Sequence, residues 1–205
     1  MSAKTKSEAL FESFLVQNGL HFEKIEEGGS PRPDYLVIVG ELKLIFELKE
    51  LSHDDNFGVV KDSSRPDIKS HSRTLGDHIR RKIEGSRRQI QFGANQGIPS
   101  ILVVYNNLDP VFQAFGTEDA DFVTAMYGEY TALLNRESGE AVDWFHGNKQ
   151  LLQENRNTSF SALARLSDND SHINLTLFEN VFAKVKIPYD ELPDCIDVRR
   201  VRIGG

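Results

Sequence analysis

Of 205 residues only Cys195 is a cysteine, so the chain has no internal disulfide and no cysteine-rich zinc site. It also lacks any uninterrupted apolar run of membrane-spanning length, and the opening Met-Ser-Ala-Lys-Thr-Lys leads into an amphipathic segment rather than a signal sequence. A soluble cytoplasmic protein with no membrane partner is the expectation. No Gly-rich phosphate loop ending in Gly-Lys-Ser/Thr, dinucleotide fingerprint, Gly-x-Ser-x-Gly elbow or His-Glu-x-x-His is present, which leaves P-loop, serine hydrolase and zincin chemistry without a motif. Positive charge is also short: the net charge is −7, against a protein that coats nucleic acid over its whole surface. The charge is unevenly spread, however. Residues 61–88 hold nine Lys and Arg against four acids, a local excess of five. A hydrophobic content of 39% in this length predicts one domain with a substantial core, about residues 6–106, and an elaboration over 107–205.

What is present centres on residues 33–49. Tyr35 to Val39 and Leu42 to Leu48 are apolar, β-branched-rich runs on either side of Gly40-Glu41, the pattern of a β-hairpin with glycine first in the turn. Counting outward from the turn pairs Val39 with Leu42, Leu36 with Ile45 and Asp34 with Glu47. Opposed residues share a face at about 5 Å between Cβ atoms, and alternation adds Lys49 to that face while Leu42, Leu44, Phe46 and Leu48 take the other. Two opposed carboxylates repel, a conflict that a divalent cation removes. Two carboxylates, a backbone carbonyl and waters suit a hard ion such as Mg²⁺, and a lysine beside them can orient a water or a phosphate oxygen.

Pro33-Asp34, twelve intervening residues and Glu47-Leu48-Lys49 resemble the signature of the PD-(D/E)XK nuclease superfamily, which has the restriction-endonuclease-like fold. The resemblance implies an α/β protein: an α/β/α core with a central mixed β-sheet flanked by helices, here followed by additional C-terminal strands. It implies hydrolysis of phosphodiester bonds in nucleic acid, DNA before RNA, with Mg²⁺, replaceable by Mn²⁺, held by Asp34, Glu47 and the Leu48 carbonyl. Lys49 would serve the attacking water. Gln89 on the following helix and Glu8 on the preceding one match positions that complete the site in that superfamily. The competing reading is a nuclease-like domain that binds nucleic acid or a protein partner without cutting, as a defence or toxin component would. Cutting both strands with one site would call for a homodimer.

Around the hairpin, helical spacing of Leu10, Phe11, Phe14 and Leu15 predicts a helix over 6–18 stopped by Gly19. Residues 21–25 read as a strand and 28–33 as an irregular loop. Thr74 is placed as the cap of one long helix to about residue 95, with Leu75, Ile79, Ile83, Ser86 and Ile90 buried. Arg80, Lys82, Arg87 and Arg88 on this helix, and Arg73 before it, are the candidates for phosphate contact. The apolar run Ile98 to Tyr105 predicts a strand buried on both faces. A helix over 119–134 and strands over 160–166, 172–178 and 181–187 complete the expectation, and no role is assigned to Trp144 through Lys149.

Overall fold

The computed structural model describes residues 4–26, 28–52, 58–61, 69–72, 74–108, 116–169 and 172–201. Helix α1 (Lys6–Gln17) starts where Thr5 and Glu8 form a reciprocal capping box and ends at Asn18, followed by Gly19 at φ +65°. Strand β1 (His21–Lys24) runs into the 28–33 loop, and β2 (Tyr35–Val39) and β3 (Leu42–Leu51) form the hairpin in the expected register, Val39 opposite Leu42 and Leu36 opposite Ile45. Gly40 adopts φ +59°, the left-handed turn conformation that glycine accepts without strain. The backbone then forms a short antiparallel pair, β4 (Gly58–Lys61) and β5 (Lys69–Ser72). Helices α2 (Asp77–Gly85) and α3 (Arg87–Ala94) lead to β6 (Ser100–Asn106), every residue of which is buried, as its unbroken apolar run requires.

After α4 (Asp119–Tyr127), strands β7 (Tyr130–Leu134) and β8 (Ala141–His146) make a separate two-stranded ribbon. Strands β9 (Ala162–Asn169) and β10 (His172–Glu179), a 3₁₀ turn at Tyr189–Glu191 and β11 (Ile196–Arg199) follow. The main sheet is mixed and has seven strands in the order β1-β2-β3-β6-β9-β10-β11. Parallel pairing joins β3 to β6, β6 to β9 and β10 to β11; the other neighbours are antiparallel. The protein is therefore mixed α/β with helices on the sheet's two faces, and its later strands extend the central sheet.

Alternation along β3 divides the core. Leu44, Phe46 and Leu48 meet Phe11, Phe14 and Leu15 of α1 on one face, with the Phe11 ring 5.0 Å from Phe46 and 5.4 Å from Tyr35. Leu51, Leu102 and Val104 meet Ile79, Ile83 and Ile90 of α2 and α3, and Phe122 and Met126 of α4, on the other. Glu47 and Lys49 belong to this second face.

Four expectations are corrected. The single helix over 74–95 is two, broken at Ser86, whose side chain is fully buried. Its start is Gly76 at φ +76° rather than Thr74, and Leu75 is exposed. A Cβ at Gly76 would lie 2.9 Å from backbone atoms of Asp121 and Ala125, and the Gly76 amide donates to Asp121 Oδ1 at 2.9 Å; contact with α4 therefore fixes the start of α2. The helix over 119–134 ends at Tyr127, because Gly128 at φ +97° turns the chain into β7 and leaves Tyr130 and Leu133 exposed. Residues 181–187 form no strand; the backbone turns at buried Asn180, which donates to the Phe160 carbonyl at 2.7 Å, and β11 supplies the last strand.

Gly93 lets α3 lie close on the sheet: a Cβ there would stand 2.6 Å from Ile45 Cδ1, and nearer still to Ser100 Oγ. Gly93→Ala should cost about 1–3 kcal/mol through overpacking, read as a lower urea midpoint with unchanged slope. An unaltered midpoint would contradict this contact.

Candidate active site

Strand β2 stops at Tyr35 while β3 continues to Leu51, leaving a notch at the sheet where Asp34 faces Glu47. Asp34 is held from both ends: its amide donates to the Phe46 carbonyl at 3.1 Å, and its Oδ2 accepts the Leu48 amide at 2.7 Å. A strand residue's N–H and C=O point to the same side, so the Leu48 carbonyl also faces the Asp34 side. A cavity of about 450 Å³ opens here, and Glu8, Asp34, Glu47, Lys49 and Gln89, the five residues expected from the sequence, all line it. The 28–33 loop forms another wall, so the irregular Gly28-Gly29-Ser30-Pro31 segment borders the site.

Glu47 is the chemical centre. It is 1% exposed; its Oε1 receives Lys49 Nζ at 2.6 Å, and its Oε2 is buried and accepts no hydrogen bond among the described residues. Burial, reinforced by the Asp34 charge, pushes its carboxyl up to about 7 against the opposing pull of Lys49. Asp34 is raised as well, chiefly by burial, with the Leu48 amide and Lys49 holding it back. Glu8 differs: burial pushes it up, but Lys24 and the Thr5 backbone outweigh this and leave it lowered. Its Oε1 accepts Lys24 Nζ at 2.7 Å and its Oε2 the Thr5 amide at 2.8 Å, so it caps α1 and anchors a cation at the rim.

Lys24 and Arg32 also line the cavity and were not singled out in the sequence. With Lys49 they set three cations against the three carboxylates. Lys24 carries no motif; what places it is the β1–β2 register, Lys24 opposite Tyr35. The capping role of Glu8 had a visible signal in Thr5-x-x-Glu8.

The basic candidates separate sharply. Arg80 is buried and donates from Nε to the Lys149 carbonyl at 3.2 Å, from Nη1 to Leu75 at 3.2 Å and from Nη2 to Thr124 at 3.0 Å, besides pairing with Asp77. It clamps α2 to α4 and is corrected from phosphate contact to structural tie, because its donors are consumed inside the protein. Lys82 is half-buried on α2 and does not line the cavity, whereas Arg88 is exposed and Arg87 half-buried on α3 beside Gln89. Arg73 lies outside the described residues. No group of three or more His, Cys, Asp or Glu placed to hold a metal ion occurs among the described residues, so Asp34 and Glu47 stand as a pair. No helix among the described residues is long and apolar enough to cross a membrane.

Comparison with protein-family models, with curated proteins and with solved structures returned no match. The site therefore rests on its own geometry.

The raised carboxyl has a consequence for stability. Between its ordinary value of 4.5 and about 7, Glu47 stays protonated in the folded chain while it ionises in the unfolded chain, so its contribution is complete at low pH and is lost as pH rises through that window. In metal-free buffer, Glu47→Gln should be more stable than wild type by about 1–3 kcal/mol at neutral to alkaline pH, the gain fading toward acid. Urea unfolding across pH reads this directly, and a difference independent of pH would count against a buried, elevated carboxyl.

Proposed function

We propose that this protein is a metal-dependent nuclease of the restriction-endonuclease-like fold, hydrolysing phosphodiester bonds in DNA before RNA. The observation that carries the reading is the meeting of Asp34, Glu47, Lys49 and Gln89 in one cavity, with a buried Glu47 oxygen that accepts no hydrogen bond among the described residues. Helix α1, the β2–β3 hairpin, helix α3 and the parallel strand β6 follow one another in the order that fold requires.

The donor set fits a hard divalent cation. An unsatisfied buried carboxylate oxygen facing a second carboxylate is costly alone and favourable beside a cation, and Mg²⁺ commonly takes one or two protein carboxylates while keeping waters. Asp34 and Glu47 would hold it, with the Leu48 carbonyl on the same side. When bound, the ion supplies a water of lowered pKa and offsets charge developing on the phosphate. The chain's own groups do the rest. To hold a cation Glu47 would have to be ionised, and a carboxyl near 7 can lose its proton at neutral pH. Lys49 Nζ, held by Glu47 Oε1, presents a cation and donors to a water or a non-bridging phosphate oxygen. Gln89 offers an amide from α3 to orient the same groups. Lys24 and Arg32 place further positive charge at the rim where a polyanion enters.

A plasmid and a single-stranded DNA incubated with Mg²⁺ or Mn²⁺ should be cut, with EDTA abolishing cleavage and Lys49→Ala lowering the rate at least about 100-fold. Double breaks rather than nicks would point to two copies acting together. Cleavage undiminished in both Glu47→Ala and Lys49→Ala would sink the mechanism.

A further inference from the structure

The Asp34–Glu47 cavity does not end at Gln89. Pro31 and Gln89 are shared with a second cavity of about 540 Å³ whose walls include Glu84, Arg87, Arg88 and Gln91. Arg87 and Gln91 are in turn shared with a third, of about 220 Å³, completed by the 155–160 segment. The three adjoin in succession around α3, from the paired carboxylates to the loop carrying Asn155 and Ser159.

Arg87 sits where the second and third cavities meet, and its guanidinium is incompletely satisfied. Nε and Nη2 are buried and make no hydrogen bond among the described residues; Glu84 Oε1 stands 3.7 Å from Nη2, an ion pair beyond hydrogen-bond length. The same Glu84 oxygen lies 3.6 Å from Arg156 Nη2, so one carboxylate is divided between two guanidiniums, with exposed Arg88 adding a third positive group. Buried donors without acceptors are rare in folded proteins and costly. The rest of the Arg87 side chain is open to the cavities, 37% exposed, so the loosely paired head can turn outward, where a planar cation in positive surroundings matches a phosphate. The third cavity's lining contains no acid; besides Arg87 it presents amides, hydroxyls and Phe160.

We propose that the substrate strand runs from the Asp34–Glu47 cavity around α3, and that Arg87 grips a backbone phosphate there while the 155–159 loop flanks the next part of the strand. The proposal rests on the nuclease reading, since continuity with the hydrolytic cavity is what makes the phosphate part of a polynucleotide rather than a free ion. It also separates two neighbouring arginines: Arg80 has its donors occupied inside the protein, and Arg87 keeps its own for the substrate.

The test is binding without cleavage. The full chain is titrated in EDTA against fluorescently labelled single-stranded DNA and RNA oligonucleotides over a range of salt, comparing wild type with Arg87→Ala, Arg87→Lys and Asn155→Asp. Arg87→Ala should bind about tenfold more weakly, with the slope of log affinity against log salt reduced by about one. Arg87→Lys should restore the slope and only part of the affinity, having charge without the planar fork. Asn155→Asp, at an exposed position that the fold does not need, should weaken binding by placing an anion in the track. Wild-type binding with Arg87→Ala and Asn155→Asp both unchanged in affinity and slope would overturn the track and leave the nuclease reading standing. Failure of the wild type to bind either oligonucleotide would also overturn the track, whereas the nuclease reading stands or falls on the metal-dependent plasmid cleavage.

Discussion

The structure depends on two carboxylates being forced to face each other. Register leaves Asp34 and Glu47 no alternative. The Gly40 turn fixes which residues oppose, and a slip of one residue would turn Leu44, Phe46 and Leu48 from the α1 face of the core toward the opposite side. The burial of those three side chains thus holds a repulsive pair in place, and burial of Glu47, reinforced by that repulsion, gives its carboxyl an affinity for protons above the ordinary. A site that would relax if left alone is retained because the hydrophobic core outweighs it.

The other elements complete that pair. Helix α1 buries one face of the hairpin, and Glu8 in its first turn, the partner of Thr5 in the capping box, fixes Lys24 at the rim of the cavity. Helix α3 is drawn onto the opposite face by the missing side chain at Gly93, which sets the level at which Gln89 reaches the cavity. The close contact of Gly76 with α4 and the hydrogen bonds of Arg80 hold α2 behind it. Lys49, itself about one-third exposed, links the buried carboxylate to solvent.

The hairpin and its site were legible in the sequence because both rest on short-range rules: a period of two, a glycine in the turn, and opposed positions that share a face. Strand β6 was legible for a similar reason, an apolar run with no polar alternation. What the sequence hid depends on contacts between distant segments. The break at Ser86 leaves the apolar spacing of Ile79, Ile83 and Ile90 unchanged, so periodicity alone joins α2 and α3. Arg80 and Arg87 look alike along the chain, yet only the packing of α4 and residue 149 turns one inward. Tyr130 and Leu133 continue the spacing of α4, and the one signal against a helix there was Gly128. Asp34, Glu47, Lys49, Gln89 and Glu8 do meet, while Lys24 and Arg32 enter the cavity through a register and a loop path that no local pattern announces.

The most direct measurement is calorimetric titration of Mn²⁺ into the metal-free protein in buffers of differing ionisation enthalpy, which yields the protons released per ion bound. At about pH 6 the account predicts one site releasing close to one proton, falling toward none by about pH 8.5, because Glu47 must be deprotonated to accept the cation. In Glu47→Gln both the binding and the release should be lost. Absence of a Mn²⁺ site in the wild type, or binding in Glu47→Gln with unchanged affinity and proton release, would contradict the claim that the opposed carboxylates form a cation site.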